Sequence, residues 1–213
     1  MRINKFLSSL GVASRRAIDK YIEEGRIKVN GAVASTGIDI TEDDEIYIDN
    51  KKIETKRIEE KVYFMLNKPL EVLSASSDDR GRKTVVDLIK TDKRIFPIGR
   101  LDYMTSGLIL LTNDGELFNR LVHPKSEIYK KYYIKVFGEV KKEEIEELKK
   151  GVLLEDGKTL PAKVSGIKYD KNKTSMYISI REGRNRQIRR MIEKLGYKVL
   201  MLRREKIGEL SLG

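Results

Sequence analysis

The sequence predicts an α+β protein, with a small N-terminal helix-helix-hairpin unit followed by a larger domain on a mixed or antiparallel sheet. Two observations support this. The N-terminal stretch has apolar residues at helical spacing and then a hairpin signal. After a charged stretch, apolar strands and helices interleave without the regular strand-helix-strand rhythm of a parallel sheet. We place the N-terminal unit at residues 1–58 and the larger domain at residues 62–213.

The N-terminal unit is predicted from its apolar spacing and its turn residues. A first helix carries its apolar face at Ile3, Phe6, Leu7 and Leu10. Ser14 is the expected N-cap of a second helix, which Gly25 is expected to end. The following Asn30-Gly31 pair is the strongest short-range signal for a hairpin, and residues 45–48 alternate as a further strand. The chain from 54 to 61 is almost entirely charged, which predicts a linker.

The larger domain is predicted from strands and helices that alternate irregularly. Apolar or alternating segments predict strands at residues 62–66, 95–98, 108–111, 130–136 and 175–180. Helical spacing predicts helices at residues 84–89, 141–150 and 186–195. Asp114 is expected to be a turn residue that caps a further helix starting at Glu116. This order of elements favours an α+β domain over a parallel α/β sheet.

Composition argues against several classes of protein. The 213 residues include no cysteine, which excludes disulfides, thiolate catalysis and cysteine-bound zinc. The single histidine, His123, argues against a histidine-rich metal site or a Ser-His-Asp triad. No apolar run approaches the ~20 residues needed to span a bilayer, and the N-terminus has no signal-peptide pattern. We expect a cytoplasmic monomer that uses no metal or cofactor and has no membrane partner.

The charge balance points to a polyanionic partner. Lysine and arginine total 44 against 33 acidic residues, a net charge of +11, and nucleic acid is the simplest such partner. Residues 181–206 alone hold 10 basic and 3 acidic side chains. Lysine-rich surfaces also serve solubility, but an arginine cluster suits phosphates and base edges. We therefore expect RNA contacts from Arg184, Arg186 and Arg190, with a solvated helix face as the alternative.

The stretch GRLDYMTSGLILLTNDG, residues 99–115, organises the larger domain. One predicted strand leads into it and another leads out, and the small and polar residues between them predict a loop. Asp102 lies in this loop, where two strands support its carboxylate and leave the oxygens free for a ligand. An aspartate in a turn more commonly bonds its own backbone, and position alone leaves that alternative open.

The segment RINKFLSSLGVASRRAIDKYIEEGRIKVNGAV resembles the alpha-L RNA-binding module of a small-subunit ribosomal protein, tyrosyl-tRNA synthetases and several RNA-modifying enzymes. The resemblance implies RNA contacts from one basic end, through Ser14, Arg15, Arg16, Arg26, Lys28 and Asn30. Without the resemblance, the arginines could equally begin a solvated helix.

The motifs GRLDYMTSGLILLTNDG, KKYYIKVFG and IREGRNRQIRRMIEKLG together resemble rRNA pseudouridine synthases of the RsuA and RluB type. The wording SDDRGRK resembles the large-subunit branch of that family. The resemblance implies that Asp102 is the catalytic nucleophile, that Tyr132 stacks on the target base, and that Arg189 pairs with Asp102. It also implies that Arg100 takes the space left by the extruded uridine, and that Leu210 or Leu212 supports the base.

The chemistry of this reaction suits these residue types. Isomerisation of uridine to pseudouridine breaks the bond from N1 to the ribose and joins C5 to the same carbon. A carboxylate can act as nucleophile on the ribose or assist its deprotonation, and is then regenerated. A nearby arginine would favour the ionised carboxylate, and a stacking aromatic would offset the cost of extruding the nucleotide.

Three alternatives remain at this point. The protein could be a non-catalytic rRNA-binding or ribosome-assembly protein derived from such an enzyme. It could be a metal-dependent nuclease using Asp102 and Asp114, although no third carboxylate has fitting spacing. Tyr132 and Tyr133 could also be ordinary strand residues. One departure from the family pattern is Glu71, which stands after Lys-Pro-x where the family often has glycine.

Overall fold

The computed structural model describes residues 1–56, 59–123 and 126–212, which form two compact units. The first unit comprises Met1–Val62 with two later segments, Thr91–Arg94 and Asn113–Gly115, and the second comprises the rest. The boundary expected at residue 58, and Gly213 at the end, lie outside the described residues. The first unit therefore includes Thr91–Arg94 and Asn113–Gly115, two segments that fall within the larger domain predicted at residues 62–213.

The first unit has two helices and a four-stranded antiparallel sheet in the order β2-β1-β3-β4. Its elements are α1 (Ile3–Ser9), α2 (Arg15–Glu23), β1 (Ile27–Val29), β2 (Ala32–Val33), β3 (Ile46–Ile48) and β4 (Lys51–Ile53). Apolar residues from both helices and the sheet form one buried cluster. The Ser14 hydroxyl accepts a hydrogen bond from the Ala17 N–H at 3.0 Å, which confirms the predicted N-cap.

The two later segments are bonded within this unit. The Arg94 guanidinium donates to the carbonyl of Ala13 at 2.6 Å. Asn113 donates to the carbonyl of Glu60 at 2.9 Å and accepts from the Val62 N–H at 2.9 Å. Asp114, which directly precedes a helix as predicted, forms an ion pair with Lys61 at 3.1 Å.

The second unit is built on an eight-stranded mixed sheet. Its elements are β5 (Tyr63–Lys68), a 3-10 turn (Val86–Leu88), β6 (Phe96–Ile98), β7 (Ser106–Thr112), α3 (Gly115–Val122), β8 (Lys130–Phe137), α4 (Lys142–Lys150), β9 (Leu153–Leu154), β10 (Gly157–Lys158), β11 (Lys163–Tyr169), β12 (Lys173–Ile180), α5 (Gln187–Lys194), β13 (Lys198–Ile207) and β14 (Leu210–Ser211). The helix predicted at residues 84–89 is only this 3-10 turn, because the N–H groups of Leu88 and Ile89 bond the carbonyls three residues back and Ile89 is already extended, with φ −110° and ψ 124°.

The main path through the sheet runs β11-β12-β8-β13-β7-β5, with β14 pairing with β13 and β6 with β7. The pairing of β13 with β7 is parallel, and the pairings of the other neighbours are antiparallel. This confirms the predicted α+β class. Helix α4 packs on β11 and α5 packs on β13 and β9. Strand β12 alternates strictly, with every second residue buried, and β8 does so from Lys131 onward.

Candidate active site

One row of residues crosses the sheet of the second unit beneath the predicted catalytic loop. It reads Lys68 on β5, Gly107 on β7, Arg204 on β13, Tyr132 on β8 and Ile178 on β12. Residues paired across a ladder project to the same face of a sheet. Their side chains are buried: Lys68 and Ile178 are 0% exposed, Arg204 is 3% and Tyr132 is 8%. The row thus places Arg204 next to the predicted catalytic tyrosine, with Lys68 two strands further along.

The loop that carries Asp102 joins β6 to β7 and is held through its backbone. The Ser74 hydroxyl accepts from the Leu101 N–H at 3.0 Å and donates to the Leu101 carbonyl at 2.8 Å. The N–H of buried Thr105 donates to the Asp102 carbonyl at 3.0 Å. Among the described residues the Asp102 carboxylate accepts no hydrogen bond, so the alternative in which it bonds its own turn is not observed. The carboxylate is left free to meet a ligand.

Two cations act electrostatically on this carboxylate. Burial lowers the pKa of Lys68 to about 8, and the negative charge of Asp102 opposes that shift. Burial, together with the positive charge of Arg186, lowers the pKa of Arg189, and Asp102 again opposes the shift. Asp102 therefore lies within electrostatic range of both Lys68 and Arg189.

Arg189 contacts the loop rather than the carboxylate. Its Nη2 donates to the Met104 carbonyl at 2.5 Å and lies 3.4 Å from the Thr105 hydroxyl. No salt bridge joins Arg189 to Asp102 within the described parts of the chain, so the expected pairing is replaced by a backbone contact two residues further along the loop. The loop contact uses only Nη2 of Arg189, and its Nε is buried without a partner among the described residues.

Lys68 organises a turn that supports the same loop. Its ammonium group donates to the carbonyls of Pro69 and Val72 at 2.9 and 2.8 Å. Within this turn, the Glu71 N–H donates to the Tyr103 carbonyl at 2.9 Å. Glu71 has φ +61°, in the left-handed region that favours glycine. The turn thus keeps the backbone conformation that a glycine would adopt freely, although a glutamate occupies the position.

Tyr132 is buried on the inward face of β8, with Arg204 as its neighbour. The Arg204 Nη1 lies 3.5 Å from the Tyr132 hydroxyl, and the guanidinium carbon lies 6.0 Å from the ring centroid. The next residue, Tyr133, faces the opposite side of the sheet and forms an edge contact with Tyr177. The two tyrosines therefore have different surroundings, and Tyr132 is the one beside the buried Arg204.

Two other predicted site residues lie in different settings. Arg100, at the start of the loop, is exposed and has no hydrogen-bond or ion-pair partner among the residues described. Leu210 is 51% exposed and pairs with Ile207, at the end of β13 beyond the position opposite Tyr132. The geometry therefore brings Arg100 to the loop but does not bring Leu210 to the Tyr132 row.

The arginine cluster around α5 is mostly engaged inside the protein. Arg190 donates to both carboxylate oxygens of Asp156 at 2.9 Å, and this pairing raises the pKa of Arg190. Arg184 donates to the carbonyls of Gly157 and Lys158 at 3.0 and 2.7 Å. Both arginines thus secure the β9–β10 hairpin, which is not the solvated helix face of the alternative; their expected RNA contacts stay a prediction. Arg186 is half exposed, with Glu193 at 3.7 Å.

The residues predicted to bind RNA in the first unit fall into two groups. Arg15, Arg16 and Lys28 are exposed and have no hydrogen-bond or ion-pair partner in the described chain. Arg26 instead forks onto Asp49, with Nε at 2.8 Å and Nη2 at 2.5 Å from the carboxylate oxygens, and its guanidinium stacks on a tyrosine ring. The Asn30 side chain donates to the Asp44 carboxylate and accepts from the Glu45 N–H, and these two bonds stabilise the turn. Ser14 caps α2.

Sequence reasoning missed Lys68, Ser74 and Arg204. Lys68 ends an apolar strand directly before a proline, and Arg204 follows Leu202 at the inward spacing of β13. A cation at an inward strand position is rare enough to be a signal by itself. Such a signal could have found both cations, whereas the Ser74 contact with the loop depends on tertiary structure alone.

The described residues contain no group of three or more histidine, cysteine or acidic side chains placed to hold a metal ion. Across those same residues, no helix has both the length and the apolarity that a bilayer span requires.

Two family models match the chain. The model described as RNA pseudouridylate synthase matches residues 62–194, and the S4 domain model matches residues 1–46.

Individual relatives cover almost the whole chain. The ribosomal large subunit pseudouridine synthase B of Bacillus subtilis is 50% identical over 215 residues, which cover 99% of this chain and 87% of that protein. An uncharacterised RNA pseudouridine synthase of Aquifex aeolicus is 44% identical and covers 100% of this chain and 86% of its own length. A crystal structure of a pseudouridylate synthase superposes with a TM-score of 0.69 at 32% identity, covering 100% of this chain and 91% of that one.

Proposed function

Because the chain belongs to the RNA pseudouridylate synthase family, we propose that it isomerises specific uridines of ribosomal RNA, in the large subunit, to pseudouridine. The target class is supported by the name of the Bacillus subtilis relative, a large-subunit pseudouridine synthase. The proposal includes a monomeric enzyme that acts in the cytoplasm without a metal or cofactor. Residues 1–58 bind RNA in this proposal, and residues 62–213 carry the reaction.

The observation that carries the proposal is the free carboxylate of Asp102 above a row with two buried cations and Tyr132. We assign Asp102 as the nucleophile toward the ribose carbon that holds the base. Attack by a carboxylate oxygen forms an ester bond to that carbon and breaks its bond to N1. After the base turns, C5 bonds to the same carbon and the ester bond breaks, which regenerates the Asp102 carboxylate. The proton lost from C5 balances the proton gained at N1, so no atom enters or leaves.

The other residues position the nucleotide and stabilise charge. Tyr132 stacks on the extruded uracil and lies near the C5 proton that must leave. Arg189 braces the loop through the Met104 carbonyl and places a positive charge near the Asp102 carboxylate. Arg100, exposed at the start of the loop, fills the space left in the RNA.

RNA contacts are assigned to the basic residues on both units. In the first unit the assignment to Arg15, Arg16 and Lys28 is supported by their exposed, unpaired side chains. Ser14, Arg26 and Asn30 shape that surface through their internal bonds. In the second unit Arg186 is half exposed, while Arg184 and Arg190 secure the β9–β10 hairpin beside it and would contact RNA with the N–H groups left over.

The test uses unmodified transcripts of large- and small-subunit rRNA incubated with the full chain, followed by chemical mapping of pseudouridine. We expect conversion at one or a few uridines of the large-subunit transcript. Asp102→Asn should abolish conversion while RNA affinity stays within about twofold. Asp92→Asn, on an exposed aspartate, is the matched control and should convert normally.

The same experiment separates the enzyme from a non-catalytic RNA-binding protein. Tight binding of rRNA with no pseudouridine in either transcript, or in assembly intermediates, would contradict the proposal. Conversion that survives Asp102→Asn would contradict the role of Asp102 and leave the family's reaction in place.

A further inference from the structure

Arg204 is a buried cation near the middle of the sheet. Strand β13 places it directly between Gly107 of β7 and Tyr132 of β8, and its side chain is 3% exposed. Burying a guanidinium is costly unless hydrogen bonds and a counter-charge compensate for the lost water. No carboxylate pairs with Arg204 within the described chain. A buried cation that lacks a counter-ion calls for a functional explanation.

The hydrogen bonds of Arg204 connect the strand that leaves the catalytic loop to the predicted catalytic tyrosine. Its Nε donates to the Leu108 carbonyl of β7 at 2.7 Å, which fixes the plane of the guanidinium. Its Nη1 points to the Tyr132 hydroxyl at 3.5 Å. Its Nη2 is buried and has no partner among the described residues. The guanidinium is thus anchored at one end and bonds only the phenol at the other.

The charge of Arg204 is not neutralised by its surroundings. Burial lowers the pKa of Lys130, two residues from Tyr132, and the positive charge of Arg204 lowers it further. The O–H of a tyrosine rotates to suit its surroundings, so a donor to the phenol oxygen decides which way that hydroxyl points. Arg204 is the residue whose geometry supplies that partner.

We propose that Arg204 is a positioning residue for Tyr132, anchored on the Leu108 carbonyl and holding the phenol hydroxyl in the orientation that meets the extruded base. This rests on the proposed role of Tyr132. We assign Arg204 no contact with the reacting atoms, because its side chain is 3% exposed and its Nη2 is buried. Misplacement of a catalytic group by about 1 Å can cost ~100-fold in rate.

The alternative is that Arg204 only ties β13 to β7. Both roles use the hydrogen bond from Arg204 Nε to the Leu108 carbonyl, but only the positioning role requires the contact with the Tyr132 hydroxyl. Tyr132→Phe removes that hydroxyl and keeps the ring, so a double-mutant cycle with Arg204→Lys separates the two roles.

The experiment measures kcat and KM for pseudouridine formation on an rRNA transcript. Arg204→Lys should lower kcat by about 10- to 100-fold with KM for RNA unchanged within twofold. In the Tyr132→Phe background the same substitution should cost less than about threefold, because the acceptor is already absent. Arg203→Lys is the matched control, since Arg203 pairs with Tyr133 on the opposite face and should leave kcat unchanged. An equal loss of kcat in both backgrounds would overturn the proposal.

A second measurement does not depend on activity or on Arg204→Lys folding. Arginine 15Nε resonances are recorded for wild type, Tyr132→Phe and Tyr133→Phe, all with intact Arg204. We expect the Arg204 signal to shift in Tyr132→Phe and not in Tyr133→Phe. If the Arg204 15Nε resonance is the same in Tyr132→Phe as in wild type, the positioning role is overturned. If the Arg204 signal shifts in Tyr132→Phe but the wild-type protein converts no uridine, the proposed function is contradicted and the Arg204–Tyr132 contact is not.

Discussion

Gly107 lies so close to Arg204 that a side chain at this position has no room. A methyl group built on Gly107 would fall 2.1 Å from the Arg204 carbonyl oxygen, and the glycine has φ +108°. This close approach lets β13 pair in parallel with β7, and so brings Arg204 into the row between the loop strand and Tyr132.

Gly107→Ala should therefore destabilise the protein severely. Strain at the positive φ and the clash with backbone atoms together should cost about 3 kcal/mol or more, measured by urea unfolding. Gly196→Ala is the control, because Gly196 has φ +85° with nothing within 4 Å of a built methyl. It should lose only about 1 kcal/mol. Equal losses in the two variants would show that β7 and β13 are not in close contact.

Lys68 should make stability rise with pH in the alkaline range. Its pKa is about 8 in the folded protein and 10.5 ordinarily. Between these values the unfolded chain binds one more proton, so the free energy of unfolding increases with pH, by about 3 kcal/mol in total. Below pH 8 both states hold the proton and this contribution is constant. Comparing urea unfolding of wild type and Lys68→Met at pH 7 and 10.5 isolates the effect, and parallel curves would rule it out.

Glu71→Gly should stabilise the protein. Glutamate at φ +61° pays a conformational cost of about 1 kcal/mol that glycine avoids, partly offset by the greater freedom of glycine in the unfolded chain. We expect a gain of up to about 1 kcal/mol in unfolding free energy. Glu71→Ala, which keeps a Cβ, is the control and should bring no gain. A loss of stability in Glu71→Gly would mean that the glutamate side chain makes a stabilising interaction.

The double substitution of Arg15 and Arg16 by glutamine should weaken RNA binding through charge alone. Both side chains are exposed and unpaired among the described residues, so their loss should leave stability unchanged. If each contacts one phosphate, the slope of log affinity against log salt should fall by about 2. At saturating rRNA, kcat should match wild type. Lys142 and Lys150, exposed on α4, provide a charge-matched control pair, and an unchanged slope for the arginine variant would remove this surface from the RNA interface.

Most elements of the fold could be predicted, because their signals are local. Helix α2, with its Ser14 cap, and the alternating strands β8 and β12 follow directly from periodicity and turn chemistry. The helix predicted at residues 84–89 was wrong, because the chain becomes extended at Ile89 and leaves only one 3-10 turn.

The candidate site was predicted in part. The sequence predicts Asp102 in a loop between two strands and Tyr132 on a strand. In the structure Asp102 lies in the loop between β6 and β7, and Tyr132 lies on β8. The sequence could not show that Arg189 donates to the Met104 carbonyl, or that Arg190 forks onto Asp156. These contacts join residues that are far apart in the sequence, so they depend on which acceptors the tertiary structure brings within reach of each arginine. Sequence spacing does not give that information.

Strand β13 has a consequence for how the molecule assembles. It follows the other long strands in chain order, yet it inserts between β7 and β8. Until it docks, the halves β5–β7 and β8–β12 each present a bare strand edge, a surface open to aggregation. Closing such distant pairings is slow, since loop entropy is paid before contacts form. Before β13 docks, the loop that carries Asp102 and the strand that carries Tyr132 are therefore not joined through the sheet. The candidate site forms only when β13 pairs with both β7 and β8.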